Sequence, residues 1–192
     1  MKRVPVVATV IVLIAAAIMV ALGMWQIQRA HWKDGLIARY QNALSEQDTV
    51  ALPANPDERE ARLYRKVDFS CDKIISRSSI AGRNSDGQAG WAQVALCDTS
   101  AGEYAVAMGW SVDPSAQGNW GGGKVIGWLG PAGDGVRVVA MPALGGLQQL
   151  AQPDPRDLPN NHMAYAVQWF FFAITALVIY VLALRGRLRV QK

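Results

Sequence analysis

The chain is poor in the residues most often used for chemistry. It has two histidines and two cysteines among 192 residues. Cys71 and Cys97 form no CxxC pair and stand at no metal-ligand spacing from a histidine, so a zinc site is not expected. His31 and His162 each lie beside a long apolar run. A soluble Ser-His-Asp or Cys-His centre therefore lacks its base. Ser76, Ser78 and Ser79 have no evident activator, and the carboxylates are scattered rather than paired. Charge is sparse as well: Asp, Glu, Lys and Arg make up 18% of the residues, and the net charge is +4. Much of that charge sits at the two ends, with no basic face, which argues against a nucleic-acid partner. Residues 118–124 (GNWGGGK) have the spacing of a phosphate loop. Val125, however, stands where Ser or Thr would bind magnesium, so a flexible hairpin connection is expected instead. There is no internal repeat. Nothing in this inventory predicts an enzyme.

What the chain does have is two long apolar runs with a Gly- and Trp-bearing middle between them. The first run covers residues 4–24 and is broken by Pro5 and Thr9. A signal peptide competes for it, with Ala21-Leu22-Gly23 as a passable cleavage site. A retained transmembrane helix is favoured, because the run exceeds a usual signal core and its helical pattern continues through Trp25, Gln28, Arg29, Trp32 and Leu36. Residues 25–50 then read as a membrane-proximal helix weakened by Gly35. The second run, residues 163–184, holds 22 residues without a formal charge, about 33 Å as a helix and enough to cross a bilayer. A basic tail, residues 185–192, follows it.

Basic residues at both ends, Lys2 and Arg3 against Arg185, Arg187, Arg189 and Lys192, predict that both termini face the cytoplasm. The middle is then exported. No Arg-rich, acid-poor presequence precedes the first run, which favours a bacterial inner membrane over a mitochondrial one. Within the middle, LYRKVDF, DKIISRSSI, GWAQVALC, EYAVAMGW, KVIGWLG and VRVVAMP are short β-rich runs separated by turn clusters. The expected fold class is a membrane α+β protein: two transmembrane helices flanking an exported antiparallel sheet or open barrel at residues 51–150. A short helix is open to ALGGLQQLA, and residues 151–162 form a proline-stiffened spacer. Export makes a Cys71–Cys97 disulfide chemically reasonable, two separate buried thiols being the alternative.

Several residues invite a functional reading beside a plain one. At 100° per residue, His162, Tyr165, Ala166, Trp169, Ala173, Ala176 and Tyr180 share a face of the second span, and Val167, Phe171, Ile174, Val178 and Leu182 share the opposite, lipid-suited face. An imidazole backed by two aromatics can ligate a metal or a haem iron. It is equally explained as an interfacial residue beside an aromatic belt. Arg29 and Lys33 share a side of the first helix, suited to anionic headgroups or haem propionates; ordinary snorkelling accounts for them too.

Two stretches together carry a resemblance. Residues 22–37 (LGMWQIQRAHWKDGLI) contain Leu-Gly, a Trp-Gln pair, then Arg and Lys down the helix. Residues 160–173 (NNHMAYAVQWFFFA) contain His, Tyr-Ala and Gln-Trp. With the order anchor, exported β domain, anchor and basic tail, the chain resembles the surfeit-locus cytochrome c oxidase assembly family, as a divergent bacterial member. The middle departs from the family pattern: Met108 precedes Gly109-Trp110 where an Arg is usual, and the following Pro comes late, at Pro114. The resemblance implies an assembly factor for cytochrome c oxidase that handles haem a. Its implied partners are oxidase subunit I and the haem a synthesis machinery; the two apolar runs imply membrane lipid, and a homo-oligomer stays open. It implies His162 as the haem iron ligand and places Trp25, Gln26, Arg29 and Lys33 on the family's first-helix motif. The rival expectations are a membrane-anchored binding or sensor module without cofactor and a membrane enzyme using haem or quinone.

Overall fold

The computed structural model describes residues 5–133 and 135–190. Lys2, Arg3 and Lys192 of the expected basic ends lie outside them, as does the side chain of Arg189. The described residues form two units, one lying within 5–36 and 158–190 and the other within 37–157.

Helix α1, Val6–Ser45, is continuous for 40 residues. The expected boundary between a span and a membrane-proximal helix is therefore no break in the structure. Gly35 does not interrupt it, since a single glycine costs only about 1 kcal/mol against alanine in a helix. A short helix α2, Pro56–Arg59, is capped by Asn55, whose side chain accepts from the Asp57 amide. Helix α3, His162–Val190, closes the chain. Helix α1 and the stretch containing α3 are each long and apolar enough to cross a membrane, and their most apolar windows are largely exposed. Core helices of a soluble protein would be buried instead.

The β unit holds one seven-stranded sheet: β1 Thr49–Val50, β2 Lys66–Cys71, β3 Lys73–Arg83, β4 Ala89–Thr99, β5 Gly102–Ser111, β6 Gly123–Ala132 and β7 Gly135–Ala140. The six β-rich runs read from the sequence all fall on β2 to β7. Strand order is β1-β2-β6-β7-β5-β4-β3. The expectation of an antiparallel sheet needs correction, because the sheet is mixed. Four neighbour pairs are antiparallel, while β1 pairs β2 and β5 pairs β7 in parallel. The cause is the loop after Ser111. It carries the chain past one strand position, and β7 then folds back from β6 into the gap beside β5.

The sheet curls until β2 meets β4. There the Asp72 amide donates to the Asp98 carbonyl, and Cys71 and Cys97 are joined by a disulfide with Cα atoms 5.3 Å apart. One face of the sheet buries Val67, Val106, Met108, Val125, Leu129 and Val138, together with the two cysteines. The other face buries Ala92, Val94, Ala107, Trp110, Val139 and Leu150. Tyr104, Val106 and Met108 of β5 serve one face and Ala107 the other, with the period of two, and a bulge opposite Gln93 and Val94 then turns Trp110 to the second face. Residues 143–151, read as a candidate helix, instead turn and bridge to the sheet at Trp110–Gln148 and Asn84–Leu150. Gly145 and Gly146 both take positive φ, 64° and 74°, which no α-helix accommodates. The glycine-rich 118–123 segment leads straight into β6 and not into a helix, so it lacks the helix N-terminus of a phosphate loop.

Candidate functional site

The two helices of the first unit run antiparallel. Going up α1, Thr9 meets Tyr180, Gly23 meets the Phe170 ring, Gln26 meets His162, Ala30 and Asp34 meet Asn160, and Lys33 meets the Pro159 carbonyl. The seam follows from the sequence. Thr9, Ala16, Gly23 and Ala30 are spaced by seven, as are Ala166, Ala173 and Tyr180. Ala16, Gly23, Ala30, Ala166 and Ala173 are buried. A seven-residue repeat of small residues lets two helix backbones approach closely. A Cβ on Gly23 would lie 2.8 Å from the Phe170 ring.

This seam sorts the candidate residues. Val167, Phe171, Ile174, Val178 and Leu182 are all exposed, as a lipid-suited face should be. Of the expected inner face, His162, Ala166, Ala173 and Tyr180 do turn inward. Tyr165 is 51% exposed, and Trp169 is half-buried with its ring edge-on to Phe172. Trp25, 54% exposed, also lies off the seam. Trp25, Arg29, Tyr165 and Trp169 each stand one position before a seam residue: Gln26, Ala30, Ala166 and Phe170. One position is a rotation of about 100°. Antiparallel helices that face each other turn in mirrored senses, so all four residues fall on the same flank of the pair. His31, one position after Ala30, falls on the opposite flank with Val167 and Phe171. His31 is exposed and has no hydrogen bond to His162; the two histidines are not brought together.

His162 Nδ1 lies 2.7 Å from Gln26 Oε1. An amide oxygen only accepts, so with Oε1 facing the ring a neutral imidazole would carry its proton on Nδ1 and present Nε2 bare. Nε2 has no hydrogen-bond partner among the described residues. The Arg29 guanidinium lies 4.0 Å from the centre of the Trp32 ring. Neither Arg29 nor Lys33 is in an ion pair among the described residues. Lys33 Nζ donates to the Pro159 carbonyl at 3.1 Å. Arg29 and Lys33 therefore carry positive charge that no carboxylate among the described residues pairs with. Gln26 is the residue that motif reading left without a task. Its one signal was a polar side chain at a seam position of an otherwise apolar helix.

The β unit offers less open chemistry. Met108, where the resemblance expects Arg, is fully buried. A cation reaches it from across β4 instead: Arg77 of β3 sets Nη1 3.7 Å from the Met108 sulfur and donates to the carbonyls of Gln117 and Trp120. Arg77 thereby ties down the loop between β5 and β6. Tyr64 is fully buried at φ 64°, rare for a bulky residue, and its amide donates to the Leu129 carbonyl, while the Leu129 amide donates to the Arg65 carbonyl. Its ring lies 4.8 Å from that of Tyr40. Burial, then the neighbouring Tyr40, Asp157 and Asp154, push its hydroxyl up to about 12. No cluster of three metal-ligating side chains exists among the described residues.

Fold and site together define a membrane-anchored protein, with a mixed β unit and a helix pair whose seam holds a histidine. The model of the SURF1 family matches residues 13–174, from within α1 into α3. The chain belongs to that family, the surfeit-locus cytochrome c oxidase assembly family, whose members are assembly factors rather than catalysts. A comparison with curated proteins finds no match.

Proposed function

We propose that this chain handles haem a during cytochrome c oxidase assembly and aids its insertion into subunit I. The observation that carries the reading is the imidazole of His162, fixed by Gln26 at the helix seam with Nε2 unengaged. The donor set suits the group. A neutral imidazole nitrogen is a haem iron ligand, and unpaired guanidinium and ammonium groups complement propionates. His162 Nε2 would be the axial ligand, and Arg29 and Lys33 would neutralise the propionates. Trp25, Tyr165 and Trp169, which share a flank with Arg29, would cover the macrocycle edge. Haem a, when bound, supplies an iron that accepts an axial nitrogen. This chain offers one such nitrogen at the seam, since His31 faces away. A second ligand would come from the client or a second copy. Basic residues at both ends favour cytoplasmic termini and a periplasmic β unit in a bacterial inner membrane.

The test is His162→Ala in a cell that makes haem a. The variant should insert into the membrane normally, because its apolar span is unchanged, and should lose co-purifying haem a. Full haem content with full oxidase maturation would remove His162 from the site.

A further inference from the structure

Gln26 has no task in the reading above beyond touching His162, yet the direction of that contact has a chemical consequence. A free histidine side chain in water favours its proton on Nε2, which must be bare for that nitrogen to ligate a metal. Here an amide oxygen 2.7 Å from Nδ1 holds the proton there instead. The seam surrounds the contact: Gly23 and Ala30 on α1 and Ala166 on α3 are buried, which limits the water available to compete for either group. Metal-binding histidines commonly donate their second N–H to a carbonyl or carboxylate, which sets tautomer and ring orientation.

We propose that Gln26 is a positioning residue that selects the Nδ1–H tautomer of His162 and aims Nε2 away from α1 for an iron porphyrin. The inference rests on His162 being the haem ligand, and it assigns a separate role to a separate residue. The bland alternative is that Gln26 and His162 only glue two helices together. A glue role requires neither this tautomer nor any effect on iron binding.

The experiment uses the full chain in detergent with nitrogen-15 histidine, read at about pH 8.5, above the imidazole range. Two histidines give two ring systems, and a His31→Gln background leaves His162 alone. The parent protein should show His162 protonated on Nδ1. Gln26→Leu should return the ring toward the Nε2–H form. Titration with haemin, followed in the Soret band, should show roughly 10- to 100-fold weaker binding for Gln26→Leu. Gln26→Glu keeps an acceptor oxygen and should retain both tautomer and affinity. If His162→Ala binds haemin as the parent does, the ligand reading itself falls and takes this inference with it. If His162→Ala abolishes the band but Gln26→Leu changes neither tautomer nor affinity, the ligand reading stands and the role of Gln26 is overturned. Equal weakening by Gln26→Leu and Gln26→Glu would also overturn it, since the acceptor oxygen would then be irrelevant.

Discussion

The β unit and the helix unit are stabilised by opposite means. The β unit buries large side chains on both faces of its sheet, among them Tyr104, Met108, Leu129 and Trp110, and adds a covalent link between β2 and β4. Several of its polar groups are committed, Arg77 to backbone carbonyls, Tyr104 to Pro53 and Asn84 to the turn at Gln88, while the buried Trp110 and Trp128 indole nitrogens have no partner among the described residues. The helix unit buries little beyond alanine and glycine, and its interhelical hydrogen bonds are few and spaced along the seam. In water such a pair would not hold. In lipid the apolar faces need no partner, and small residues with a few polar contacts are the usual means of association. The unit with the weaker packing is the one that holds His162 and the Arg29 and Lys33 cations, which are in no ion pair among the described residues.

That contrast can be broken by severing each unit's link. The largest effect is expected from Cys71→Ser with Cys97→Ser. The bridge spans 26 positions, and the chain-entropy relation for such a loop gives about 3.5 kcal/mol. Urea unfolding with and without reductant should move the β-unit transition and leave the helical signal in place. A helical transition that moves equally would show the two units to be one cooperative body.

A smaller effect should appear at high pH. Folded Tyr64 holds its proton to about pH 12, whereas a tyrosine in the unfolded chain loses it near about pH 10. Ionisation between these values favours the unfolded chain. The stability present below about pH 10 is thus lost as pH rises toward 12. Tyr64→Phe should flatten that loss in pH-dependent denaturation curves; an unchanged slope would place the hydroxyl in water.

The smallest effect is expected at the far end of the helix pair. Thr9→Val and Tyr180→Phe each remove one partner of a single interhelical hydrogen bond. Such bonds average about 0.6 kcal/mol in a membrane protein. A double-mutant cycle in detergent should give a coupling of that order, with haem a content unaffected. A coupling several times larger would mean that the seam depends on its polar ends more than on its small residues.

The sequence by itself determined where the chain is apolar enough to span a membrane and where it is β-rich. It also determined which helix face suits lipid, because burial and turn chemistry leave periodic and compositional marks on a local stretch. Its two end motifs were enough to point to the family. Only the tertiary structure decided that β7 lies between β6 and β5, since strand pairing depends on a loop closure that no local pattern records. It alone joined Cys71 to Cys97, whose compartment argument had left two separate thiols open. It moved Tyr165 from the inner face to a flank, because the seam centres on Ala166 and one position along the helix is a turn of about 100° away from it. It set Gln26 against His162 across 136 positions of sequence, and put His31 on the other flank. A contact of that kind exists only once two helices have chosen their register, and the small residues of the seam make that choice.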